Sequence, residues 1–192
     1  MRGTRGKRVS VFVVMQPVIL PTCGPDPFII ACSAPSPHAH LLDALEFSDR
    51  LRAVLSDARE EAARRKHEHV GTEHLLIALL VDSDRTSGNG RSLAGVVLDV
   101  LGVDRQKMSV VLDQTILRGQ RPTAEDQLGY TSRAKAVLEL AMAEARVARA
   151  TTVDTQHLLL GLLREERGIA AQVLLDFGVT AEKARAELAR LA

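Results

Sequence analysis

The sequence predicts an all-α fold built as two tandem four-helix repeats packed about a pseudo-twofold axis. Three observations carry that expectation. Apolar residues make up 46% of the 192, yet only 3% are aromatic, so the apolar content is mostly Leu, Val and Ala. Leu and Ala head the helix-propensity order and suit closely packed helices. Apolar positions recur at spacings of three and four, and no segment shows the β-branched alternation of a strand. The third observation is that the second half repeats the first.

Phe47-Ser48-Asp49-Arg50 aligns on Tyr130-Thr131-Ser132-Arg133, an offset of 83. With the same offset, Val70-Gly71-Thr72-Glu73-His74-Leu75-Leu76 falls on Val153-Asp154-Thr155-Gln156-His157-Leu158-Leu159. About 14 of roughly 33 positions are identical without a gap, more than unrelated amphipathic helices share. The register then slips by seven at a Gly/Ser/Asp/Asn-rich insertion over residues 83–90, a composition expected of an exposed loop. Beyond it Leu101-Gly102-Val103 meets Phe177-Gly178-Val179.

Each repeat reads as four helices. Ser48 and Thr131 stand as N-caps of the first, whose apolar face in repeat 1 is Leu51, Val54, Leu55, Ala58 and Ala62. The second follows Thr72 or Thr155 and buries Leu75, Leu76, Leu79 and Leu80, or Leu158, Leu159, Leu162 and Leu163. The third starts near Ser92 in repeat 1 and ends at Gly102, with Gly178 as its counterpart; glycine accepts the left-handed conformation that closes a helix. Asp104 and Thr180 cap the fourth. Repeat 1 is expected over residues 46–117, a polar linker over 118–129 and repeat 2 over 130–192.

Residues 1–44 differ from the rest. They hold six of the seven prolines and a basic start followed by a broken apolar run. This is expected to be a largely disordered extension. A targeting segment is the alternative, although Asp26 and the prolines interrupt the apolar run such a signal needs. Both cysteines, Cys23 and Cys32, fall here, leaving the folded part without disulfides or thiolate ligands. A net charge of +1 gives no electrostatic case for nucleic-acid binding. No apolar run is long enough to span a membrane, and the expected location is cytoplasmic, with export or organelle targeting as the alternative.

A Ser/Thr-x-Arg helix start, a Gly-Thr-Glu-His-Leu-Leu helix and a Gly-x-Ala-Ala-x-Val-Leu helix, each present twice in some form, resemble the Clp repeat domain. That domain forms the N-terminus of ClpC, ClpA and ClpB unfoldases, and the ClpC type is the most similar. The resemblance implies a non-catalytic module that binds substrates, adaptors or components of a Clp protease or unfoldase. An accessory subunit of a proteolytic core, or a decoy for unfoldase ligands, is the alternative role. It also implies a phosphoarginine pocket in each repeat, with Ser48 and Glu73 serving repeat 1, and Thr131 and Gln156 serving repeat 2. Helix starts suit a phosphate and a carboxylate suits a guanidinium. Gln156 departs from the pattern and loses the charge, so repeat 2 is expected to be the weaker site. Plain helix capping is the competing account of Ser48 and Thr131.

Other chemistry finds no support. No Gly-x-x-x-x-Gly-Lys-Ser/Thr loop is present, so no ATPase is expected. His67-Glu68-His69 is not a zinc-protease motif, His67, His69 and His74 lack a convincing further ligand, and no cofactor is implied. No Gly-x-Ser-x-Gly elbow exists. A helix-turn-helix DNA reader, the outsider for a small all-α chain, lacks a basic recognition helix.

Overall fold

The computed structural model describes residues 45–85, 91–119 and 128–191. The expected extension, the middle of the linker and the tip of the insertion lie outside them. The described residues form eight helices and four two-residue strands: β1 (Glu46–Phe47), α1 (Asp49–Arg64), β2 (His69–Val70), α2 (Thr72–Asp84), α3 (Leu93–Val100), α4 (Arg105–Thr115), β3 (Gly129–Tyr130), α5 (Ser132–Val147), β4 (Thr152–Val153), α6 (Thr155–Glu165), α7 (Ile169–Asp176) and α8 (Ala181–Leu191). None of these helices is long and apolar enough to cross a membrane.

Local chemistry sets the helix ends. Ser48 Oγ accepts from the Leu51 amide at 3.0 Å and Thr131 Oγ1 from the Ala134 amide at 3.1 Å, while Asp104 caps α4 through the Lys107 amide. Gly102 and Gly178 close α3 and α7 with φ of 72° and 76°, the left-handed region that glycine enters without Cβ cost. Lys66 and Arg149, 83 positions apart, close α1 and α5 in the same conformation without being glycine. At the end of α1 the Lys66 amide reaches Ala63 O and the His67 amide reaches Ala62 O, the paired bonds of a Schellman turn.

Three expectations need correction. Strands exist, although only two residues long, too short to show a period. The insertion starts later than its composition suggests: Ser83 is buried inside α2, with its hydroxyl donating to the Leu79 carbonyl at 2.7 Å, the back-bonding that lets a serine continue a helix. The caps of α2 and α6 are Gly71 and Asp154, one residue before the threonines.

The strands interlock the repeats. β1 pairs in parallel with β4, Glu46 opposite Thr152, and β2 with β3, His69 opposite Gly129. Adding 83 to Glu46 and His69 gives Gly129 and Thr152, so the two pairings are one contact repeated by the pseudo-twofold. Each repeat thus lends its first strand to the other. Beneath them a single core runs through both repeats, led by Leu51, Leu75, Leu79, Leu158, Leu162 and Leu174, all 0–1% exposed. Burial of such side chains contributes roughly 1.5–3 kcal/mol each.

α5 and α6 approach backbone to backbone at Gly161. A Cβ there would lie 2.5 Å from the Val137 carbonyl oxygen. The equivalent position in α2 is Ala78, buried at 2% exposure. Helix propensity alone predicts that Gly161→Ala stabilises by about 1 kcal/mol. Overpacking against rigid backbone costs about 1–3 kcal/mol and dominates here. Gly161→Ala is therefore expected to lower the urea midpoint; a raised midpoint would refute the close approach.

Candidate functional site

The strand exchange brings helix starts from both repeats together in two related crevices. In the first, the Ser48 amide donates to Val153 O at 2.9 Å and the Ser48 hydroxyl to Asp154 Oδ1 at 2.9 Å. Ser92, before α3, donates its hydroxyl to Thr155 Oγ1 at 3.0 Å. The starts of α1, α3 and α6 therefore meet. In the second, the Thr131 amide donates to Val70 O at 3.0 Å, and Gly168, the counterpart of Ser92, sits against Thr72. There the starts of α5, α7 and α2 meet. Such starts carry unsatisfied N–H groups and partial positive charge.

The four expected site residues are thus distributed differently from the within-repeat pairing. Ser48 is bonded to the Asp154 turn that begins α6, on which Gln156 lies, and Thr131 to the Val70 turn that begins α2, on which Glu73 lies. The crevices also differ in charge. Asp154 caps α6 and occupies the first crevice with its own carboxylate, which accepts from the Thr155 amide at 2.7 Å as well as from Ser48. Its counterpart Gly71 has no side chain, and the Glu73 carboxylate folds into the vacated space, within 2.5 Å of where a Cβ would stand. Glu165, 9% exposed, has one oxygen without a hydrogen-bond partner among the described residues and faces Arg133 at 3.8 Å. Sequence reasoning missed Asp154 and Glu165. The Gly71/Asp154 difference between repeats was the available signal.

A separate groove of about 350 Å³ opens between α5, the start of α6 and α8. Its rim gathers Val147, Leu191 and Leu93, exposed by 81%, 42% and 41%. Leu160 and Leu188 line its floor, with Gln156 and His157 beside them. At its edge the Arg185 guanidinium, aided by Arg164, holds the Glu144 carboxyl below the usual range against the opposing pull of burial. In repeat 1 the matching place is a smaller, polar cleft of about 210 Å³: Arg64, Arg65 and Asp113 stand where the groove has Val147, Ala148 and Ala189. Arg65 there pairs with Glu61 and Asp113.

The family model for the Clp repeat (R) N-terminal domain matches residues 46–177 and 129–192. The chain belongs to the Clp repeat N-terminal domain family. It is 40% identical over 145 residues to the negative regulator of genetic competence ClpC/MecB of Bacillus subtilis, an alignment covering 76% of this chain and 17% of that relative. Clp N-domains also supply its structural neighbours. The N-domain of ClpV from Vibrio cholerae superposes with a TM-score of 0.62 at 19% identity, over 88% of this chain and 93% of that one. A ClpV N-domain in complex with a VipB peptide superposes at 0.58 and 20% identity, over 75% and 84%.

The recurrent histidines of this Clp repeat pair differ in setting. His74 and His157 each accept the amide of the residue before their helix, Gly71 at 2.9 Å and Asp154 at 3.0 Å. His74 also meets His67, Nε2 to Nδ1, at 2.7 Å, and His67 Nε2 reaches Leu117 O at 2.6 Å. His67, Glu73 and His74 have ligand atoms within 4.8 Å of one another, but the four ring nitrogens are already engaged in this chain of bonds. Burial, then the neighbouring His67 and Arg65, push His74 down to about 4; burial also lowers His157. A histidine whose pKa falls on folding stabilises the fold above its unfolded value of roughly 6.5. That contribution is lost as the pH drops from there through about 4. The His74 imidazole is expected to titrate near pH 4 by proton NMR in the folded protein; a midpoint above about pH 6, close to the unperturbed value, would contradict its burial.

Proposed function

We propose that this Clp repeat module is a receptor that takes extended apolar segments of substrates or adaptors into the α5–α6–α8 groove on behalf of a Clp protease or unfoldase. The observation that carries the reading is the convergence of Val147, Leu191 and Leu93 on one apolar groove. Exposed aliphatic side chains scattered singly need no explanation, but a concave cluster rimmed by charge marks an interaction surface. The relation to a ClpV N-domain that holds a VipB peptide supports peptide binding as a class of activity. The chain spans about 17% of the length of the ClpC relative, so association with Clp components is part of the proposal.

The test uses fluorescence anisotropy with a reduced, carboxymethylated protein that cannot fold. Val147→Asp is the informative variant, because Val147 is 81% exposed and its loss leaves the core intact. Burying one aliphatic side chain contributes about 1.5–3 kcal/mol. Val147→Asp is therefore expected to weaken binding about tenfold or more. Equal binding by variant and wild type would remove the groove from the account.

A second reading, phosphoarginine recognition, is favoured at the Thr131 crevice. Three helix starts there suit a phosphate, and the Glu73 and Glu165 carboxylates suit a guanidinium. In the Ser48 crevice Asp154 already supplies the anion, so that site is expected to be the poorer one. Gln156 adds no charge to it. Calorimetry with free phosphoarginine should give one dominant site, weakened about five- to thirtyfold by Glu73→Gln. An unchanged affinity in Glu73→Gln, with Asp154→Gly abolishing binding instead, would reverse the assignment.

A further inference from the structure

The seam that forms an apolar groove in repeat 2 is a basic cleft in repeat 1, and neither reading above uses it. Arg64 and Arg65 at the end of α1, Asp113 on α4, and Ile116 and Arg118 beyond α4 line this cleft. Its arginines are held in place. Arg65, with a side chain only 8% exposed, donates from Nε to Glu61 Oε1 at 2.5 Å and from Nη2 to Asp113. Arg64 forks onto Glu61 with bonds of 2.8 and 2.7 Å, while its side chain stays 63% exposed. Arg118 is fixed at the backbone on both sides. His67 Nε2 meets the Leu117 carbonyl at 2.6 Å, the Gly119 amide donates to Arg65 O at 2.9 Å, and Ile116 is buried.

Glu61 is shared by Arg64 and Arg65, and Asp113 is bound by Arg65, so three guanidinium groups meet two carboxylates. The surplus charge is on Arg118, which is exposed and makes no ion pair among the described residues. We propose that the cleft is an oxyanion site, in which Arg118 and the outer edge of Arg64 receive an acidic side chain of a protein partner. A guanidinium presents paired N–H donors that match a carboxylate in its plane. Anchoring the backbone on both sides of Arg118 lowers the ordering cost of binding. The surplus is one positive charge, which one carboxylate balances. A phosphate dianion would leave excess negative charge beside Asp113, whose side chain is 57% exposed. Repeat 2 has no such site, because Val147, Ala148 and Ala189 stand in place of Arg64, Arg65 and Asp113. The two seams of the duplicated scaffold therefore select different features of a ligand, one apolar and one acidic. The acidic site stands without the groove, since the two share no lining residue.

NMR on the full chain tests the site, with the arginine Nε–H signals followed during titration with an acetylated, amidated hexaglutamate at low ionic strength. The Arg64 and Arg118 signals should move together and saturably, and hexaglutamine should move neither. Arg118→Gln removes one charge-assisted contact at an exposed position and is expected to weaken hexaglutamate binding about threefold to tenfold. Arg190→Gln, on α8, lowers the net charge equally and should leave the affinity unchanged. Equal weakening by the two variants would reduce the effect to net charge and overturn the proposal. So would Arg64 and Arg118 signals that stay still with hexaglutamate, or that move only with inorganic phosphate.

Discussion

Two amide-to-carbonyl bonds organise this molecule: Ser48 to Val153 and Thr131 to Val70. Each joins the first strand of one repeat to the strand before the second helix of the other. A four-helix unit of this size has a small core, and small domains bury a smaller fraction of their surface. Exchanging strands makes one core from two, so α2 and α6 are lined with buried leucines on more than one side. The exchange also decides which helix starts face each other, and with that the composition of both crevices.

Much of the local structure was legible in the sequence. Ser48 and Thr131 cap because their hydroxyls sit just before an apolar 3–4 pattern. Gly102 and Gly178 terminate because little else enters their backbone region cheaply. These are short-range effects, and short-range chemistry leaves residue-type signatures. The strand exchange leaves none, because two residues cannot display alternation and the partners lie far apart along the chain. Which acid lies beside which hydroxyl therefore has no local signature. Within one repeat Ser48 and Glu73 look like partners, and only the pairing of β1 with β4 puts Asp154 against Ser48 instead.

The groove illustrates a signal that was present but needed the fold for its meaning. Val147, Ala148 and Ala189 replace Arg64, Arg65 and Asp113. As separate positions these are ordinary differences between repeats. Only when α5 and α8 are placed side by side do the three coincide, turning a polar, ion-paired cleft into an apolar one. This outward seam diverges between the repeats, while the buried leucines Leu75, Leu76, Leu79 and Leu80 of α2 recur as Leu158, Leu159, Leu162 and Leu163 of α6. The duplicated scaffold carries two different surfaces.

The exchange also bears on how the chain is made. Phe47 finds its strand partner only at Val153, 153 − 47 = 106 positions later. At a synthesis rate of about 5–20 residues per second, that partner trails by roughly 5–20 seconds. Repeat 1 has all its helices once Thr115 is made, but β2 gains its partner only at Gly129–Tyr130 and β1 only at Thr152–Val153, so both strand edges of repeat 1 wait unpaired on the ribosome for the second repeat.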